Sequence, residues 1–286
     1  MQMHADALLH FSSASPASAV AGELQQAGLN LFAMLDAEKI NDSTIPLGAS
    51  SLMLIGSYGR QLWDCIPASY HRGENPVDDF SASAVTQTLT SVLGNCDWTM
   101  LYPSSSAATA PALQQLGCFA GWHHPSPLGN GIHPEFGLWF AYRSVVAING
   151  SIAAITGVPQ NTEPALHANA GVNAGVNVSD CPVSVNTKTN AGVSTAESPC
   201  VSCVDQPCIA VCPASALHQT DAPDLTACAG FRTTEQSPCA ERCIARERCP
   251  VGVQFRYADD QIRYYYKQSL EALRRWVAET GAPDSR

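Results

Sequence analysis

The sequence has little charge and no stretch of a single sign. Charged residues fill 14% of its 286 positions, with 15 Lys and Arg against 25 Asp and Glu. A net charge of -10 without a basic run excludes the usual electrostatic footprint of a nucleic-acid-binding surface. No apolar run approaches the length of a membrane span, so no membrane-embedded segment is expected. The opening, MQMHADALLHFSSASPASAV, has neither a positive start nor a continuous apolar centre. No secretory signal is therefore expected, and the location read from it is cytoplasmic. From about Pro159 to Ser198 there are no aromatic residues and few charges, while Ala, Asn, Gly, Val, Ser and Thr dominate. Such a segment buries too little to offset chain entropy and reads as a flexible linker or insertion over 159–198. A β-rich insertion built on its short Val-rich runs is the alternative.

What the chain does have is apolar bulk and cysteine. Hydrophobic residues make up 45%, enough for a sizeable core. In the first 158 residues short apolar runs alternate with capped helical stretches. SPASAVAGELQQAG has Ser15 as N-cap, Pro16 at the first helical position and Gly28 as its stop. NPVDDFSASAVTQTLTSVLG is a second helix, with Asp78 and Asp79 at its positive end. TAPALQQLG is a short third. LNLFAML, SLMLIGSYG, WTMLYP and LWFAYRSVVAI suit strands. This alternation predicts one α/β domain over 1–158. At the other end, Ile262, Tyr265, Tyr266, Leu270, Leu273 and Val277 recur at helical spacing, so a helix within 259–286 should pack on the body.

Of twelve cysteines, Cys65, Cys96, Cys118 and Cys181 are scattered and read as buried apolar thiols. The rest crowd between Cys200 and Cys249, where metal is the expected occupant in a reducing compartment. The run PCVSCVDQPCIAVCP is C-x2-C-x4-C-x3-C-P, close to the ferredoxin pattern in which three thiolates grip one cubane and the fourth reaches a second. Cys228, Cys239, Cys243 and Cys249 follow, again ending in Cys-Pro. Crosswise pairing assigns Cys200, Cys203, Cys208 and Cys249 to one 4Fe-4S cluster, and Cys212, Cys228, Cys239 and Cys243 to another. Zinc is the competing occupant, although zinc does not require the two Cys-Pro endings. The block over 199–258 is thus expected to be a small ferredoxin-like domain. His123 and His124 have no evident partner pair and read as structural, not as metal ligands.

The stretch GWHHPSPLGNGIHPEFGLWFAYRSVVAI, Gly121 to Ile148, resembles the CblC-type cobalamin-processing proteins, whose motif reads roughly IHP-x-FG-x-WFA-x-RG; Ser144 stands here where that family has glycine. The order of elements also resembles epoxyqueuosine reductases and reductive dehalogenases, which join a related cobalamin domain to a pair of 4Fe-4S clusters. It is similar as well to uncharacterised bacterial ferredoxin-like proteins. In the reductases a proton-donating aspartate enters the helix before the G-W turn; here that segment, YPSSSAATAP, has no carboxylate. The resemblance implies an α+β sandwich of the flavin-reductase or nitroreductase-like kind. It implies that His133, Gly137, Trp139 and Arg143 line or support a corrin site, Arg143 above all. The expected function is a redox protein whose clusters exchange electrons with a partner protein and feed a cobalamin. The alternative is a non-enzymatic ferredoxin-type carrier that docks a partner.

Overall fold

The computed structural model describes residues 7–103, 109–159, 198–219 and 222–280. The segment read as a linker falls almost entirely outside them, as do the serines of YPSSSAATAP. The chain divides into two compact units. The first comprises Met1–Gly121 with Ala141–Pro182, and the second Trp122–Phe140 with Val183–Arg286.

The first unit is built on a five-stranded sheet. Strands β1 (Leu8–Leu9), β2 (Leu31–Asp36), β3 (Ser51–Tyr58), β4 (Asp97–Tyr102) and β5 (Phe140–Asn149) lie in the order β1-β2-β3-β5-β4. The pairs β1–β2, β2–β3 and β4–β5 are antiparallel. Alternating helices and strands would suit parallel crossovers, but an antiparallel mixed α/β arrangement forms instead. The apolar runs occupy the centre: Leu52, Met53, Leu54 and Ile55 on β3 have no exposed surface, nor do Val145, Val146 and Ile148 on β5. Strands buried on both faces read as continuous apolar runs, which is why these segments lack alternation.

Helix α1 (Pro16–Gln26) starts as its residues dictate. The Ser15 side chain accepts a hydrogen bond from the Ser18 N–H at 3.1 Å, and Pro16 opens the first turn. Helix α2 (Gln61–Cys65) is short, and α3 (Pro76–Leu93) is the longest of this unit. Helices α4 (Leu113–Phe119) and α5 (Ile152–Thr156) complete it. Helix α1 packs on α3 and α5, burying Val20 and Leu24 from one side and Val85 and Leu89 from the other.

The second unit is mostly loop with short helices. These are α6 (Pro207–Ala210), α7 (Leu225–Thr233), α8 (Ile244–Glu247) and the long α9 (Asp259–Thr280). Helix α9 packs on α7. Its predicted apolar face is graded: Ile262 and Leu270 are buried, Tyr265, Tyr266, Leu273 and Val277 half-buried. Ile262 joins Trp139 and Tyr257 in a small aromatic core.

The scattered cysteines depart from expectation. Cys65 and Cys96 are half-buried, with thiols that donate to the Gln26 and Asn149 carbonyls. Cys118 is half-buried and disulfide-bonded. Cys65 and Cys118 stand at the ends of the short helices α2 and α4 and Cys96 just before β4, places where a thiol meets backbone carbonyls or another sulfur. Cys181 lies outside the described residues.

Candidate metal centre

The eight clustered cysteines are positioned by turns and helix ends. The Ser198 hydroxyl accepts from the Cys200 N–H at 3.3 Å and donates to the Pro125 carbonyl at 3.3 Å, pinning the start of the run. Gln206 adopts a left-handed conformation, φ 36°, and turns the chain into α6, which carries Cys208. Cys228 lies on α7, whose N-cap Asp224 accepts from the Ala227 N–H at 2.9 Å. Cys243 is itself the N-cap of α8, its sulfur accepting from the Arg246 N–H at 3.4 Å. Cys249 follows that helix and is buried with Ile132 and Leu138, with Cys200, Leu128 and Val251 packed against them.

Burial and neighbouring thiols together raise five of these cysteines. Burial pushes Cys200 up to about 11, and the neighbouring charges acting on it are those of Cys249, Cys208 and Cys203. Cys208 is raised by burial and by Cys249 and Cys203, and Cys249 by burial and Cys203. Cys228 is raised by burial, then by Cys243, Cys212 and Cys239; Cys239 by burial, Cys243 and Cys212. For all five, every acting thiol is one of these eight. Among the described residues no three His, Cys, Asp or Glu side chains close into a metal-holding group.

Cysteine sulfur is the donor type a soft metal centre takes, and all eight clustered cysteines of this unit are free thiols. Backbone N–H groups of Ile209, Ile244 and Val251 already donate to the sulfurs of Cys208, Cys239 and Cys249, which favours their thiolate forms.

The residues tied to a corrin site have structural employment. Gly137 sits at φ 60° and Gly252 at φ 69°, and their turns face each other. A Cβ on Gly137 would lie 2.1 Å from the Val251 carbonyl oxygen, and one on Gly252 2.3 Å from that of Phe136. The HPEFG turn is therefore the seat of the turn that follows Cys249-Pro250. His133 Nδ1 accepts from the N–H groups of Glu135 and Phe136, at 3.1 and 3.2 Å, and its ring stacks on Phe136 with centroids 4.3 Å apart. Burial, then the nearby His124, pushes His133 down to about 4, so it is neutral at physiological pH. Burial and His124 likewise bring His123 to about 4. Trp139 has no exposed surface and packs edge-on against Tyr257, centroids 5.4 Å apart.

Arg143 belongs to the other unit, on β5. It is buried, its Nε donating to the Ser57 hydroxyl at 3.0 Å and its guanidinium 3.8 Å from the Asp78 carboxylate. Asp78 thus does more than charge the start of α3. Its carboxyl is pushed up by burial, against the pull of Arg143.

Two arginines went unnoticed in the sequence. Arg232 stands four residues after Cys228 on α7, and Arg246 three after Cys243 on α8. Helical spacing is the signal that could have found them, since it brings i+3 and i+4 side chains beside the cysteine.

No family model matches the chain, and no curated protein matches it. Among solved structures it is similar to a B12-trafficking protein CblC from C. elegans, a homologue of human MMACHC. The identity is 14%, the match covers 80% of this chain and 79% of that one, and the TM-score is 0.35. At that score the similarity assigns neither fold nor ligand. Among the described residues no helix is long and apolar enough to cross a membrane.

Proposed function

We propose that the second unit is an electron-transfer module holding two 4Fe-4S clusters. Cys200, Cys203, Cys208 and Cys249 would hold the first, and Cys212, Cys228, Cys239 and Cys243 the second. What supports this reading is the spacing of the eight cysteines, C-x2-C-x4-C-x3-C-P followed by Cys228, Cys239, Cys243 and the second Cys-Pro at Cys249. When bound, each cluster supplies a one-electron redox couple. The chain's own part is to hold the sulfurs, donate backbone N–H groups to them, and cover the first set with Ile132, Leu138 and Leu128. A cytoplasmic location and a protein electron donor or acceptor belong to the same proposal.

A corrinoid as the electrons' destination rests on the resemblance over Gly121 to Ile148. The residues in place do not form a corrin wall. Trp139 is enclosed, Gly137 is closed off by the Val251 carbonyl, and Arg143 is spent on Ser57 and Asp78.

Anaerobic purification tests the cluster reading. About eight iron and eight sulfide per chain are expected for two cubanes. One or two zinc and no iron would overturn it, and four iron would leave the second set without a cluster. Titration with hydroxocobalamin tests the corrinoid. A spectral change at micromolar protein supports it; none leaves an electron carrier that docks a partner protein.

A further inference from the structure

Charge is unevenly placed along this acidic chain. Residues 232–280 hold nine of its 15 Lys and Arg but only seven of its 25 Asp and Glu. Helix α9 lines up part of that excess. Arg263, Lys267 and Arg274 recur at i, i+4 and i+11, which 3.6 residues per turn brings into one stripe about 16 Å long. All three are exposed, and none joins an ion pair among the described residues. The helix's own acids do not neutralise them. Asp259 lies 3.4 Å from Arg242, and Asp260 accepts from the Gln261 N–H at 2.9 Å. Glu271 stands one turn beyond Lys267 without pairing to it.

The stripe starts at a recess of about 350 Å³ within the second unit, bordered by Arg263, Arg242, Glu241, Gln236 and Ser237. Arg242 is already held by Glu247 at 2.8 Å as well as by Asp259. The charge left to meet in the recess is that of Arg263. The Gln236 amide can donate hydrogen bonds beside it. The Ser237 hydroxyl accepts from the Cys239 N–H at 3.3 Å and keeps its own hydrogen to donate. Glu241 brings a negative charge to the same recess, which disfavours a doubly charged phosphate group and suits a single carboxylate.

We propose that this recess and the α9 stripe form a docking site for an acidic surface of another protein, with one carboxylate entering beside Arg263 and others meeting Lys267 and Arg274. This rests on the proposed reading that the second unit docks a partner protein, and not on what its cysteines hold. The stripe continues well past the recess, so the occupant is a polymer and not a small carboxylic acid. A nucleic-acid strand carries a charge at every nucleotide and would bring phosphates past Glu241 and Glu271, whereas a protein surface spaces its carboxylates singly. The acidic remainder of the chain repels such a partner everywhere else, which orients its approach to α9.

The test is fluorescence anisotropy at low salt on the purified full chain, with iron counted in every sample. The probes are a labelled peptide of alternating Glu and Ser, its Gln-Ser counterpart, and a single-stranded thymidine oligonucleotide. The Glu peptide should bind in spite of the protein's net charge of -10, and the Gln peptide should not. Arg263→Glu and Lys267→Glu should each weaken binding by at least about fivefold. Glu241→Gln should strengthen it. Arg60→Glu, which reverses an exposed arginine of the first unit, should leave it unchanged. No binding of the Glu peptide overturns the proposal, as does binding that ignores Arg263→Glu or falls equally with Arg60→Glu. Tighter binding of the oligonucleotide makes the stripe a nucleic-acid surface, and displacement by free glutamate makes the recess a small-molecule site; either also overturns it. Protein without iron whose peptide binding depends on Arg263 removes the cluster reading and keeps the docking site. Protein with full iron that does not bind the peptide does the reverse.

Discussion

Gly137→Ala should destabilise the second unit through two separable effects. The first is conformational. A φ of 60° places a side chain in the left-handed region, which costs an L-residue about 1–2 kcal/mol. The second is steric. The new Cβ would lie 2.1 Å from the Val251 carbonyl oxygen and 2.7 Å from its carbon. Both are backbone atoms, so no rotamer change relieves the clash, and the turn must retreat by roughly 1 Å. Overpacking of this kind costs about 1–3 kcal/mol, for a total of about 2–5 kcal/mol. Urea titrations should therefore show Gly137→Ala losing about 2–5 kcal/mol against wild-type protein. The retreat also drags Cys249, so iron should fall from about eight towards four per chain if that cysteine closes the first cluster. Wild-type stability with full iron would refute the seat described for the Cys249-Pro250 turn.

The metal-free protein should lose stability as pH rises from about 9 to about 11. Cys200 titrates near 11 folded against 9.0 ordinarily, so the fold favours its protonated form, and that preference vanishes through this window; thermal melts across the range check it. His123 and His133 act in the opposite sense. Both titrate near 4 against 6.5 ordinarily, so their contribution is present above 6.5 and is lost as pH falls from there to about 4. Leu54→Ala, at a position with no exposed surface on the central strand β3, should cost about 2–5 kcal/mol by denaturant titration. Ser15→Ala removes the cap on α1 and should cost about 1 kcal/mol by the same measurement.

The elements of the first unit were legible because their signals are local. Ser15 and Pro16 start a helix wherever they meet an apolar repeat, and SLMLIG has the composition of a buried strand. Strand direction was not legible, because it depends on how the loops return and not on composition. The work done by Gly137 was not legible either. Its turn partner at Val251 and Gly252 is more than a hundred residues away, and nothing local announces such an approach. Arg143 and Asp78 illustrate the same limit: each is an ordinary residue in its own element, and only the tertiary structure pairs them.

The crosswise grouping proposed for the thiols would impose an order in time. Cys212, Cys228, Cys239 and Cys243 all lie between the outer members of the other set, Cys200 and Cys249. A ribosome thus delivers the whole second set before the first can close. At about 5–20 residues per second, Cys200 and its two neighbours would wait several seconds for Cys249. Through that interval Ile132 and Leu138 also lack the cysteine they later bury. A metallation machinery that acted before Cys249 emerged would find the proposed first set with three thiols.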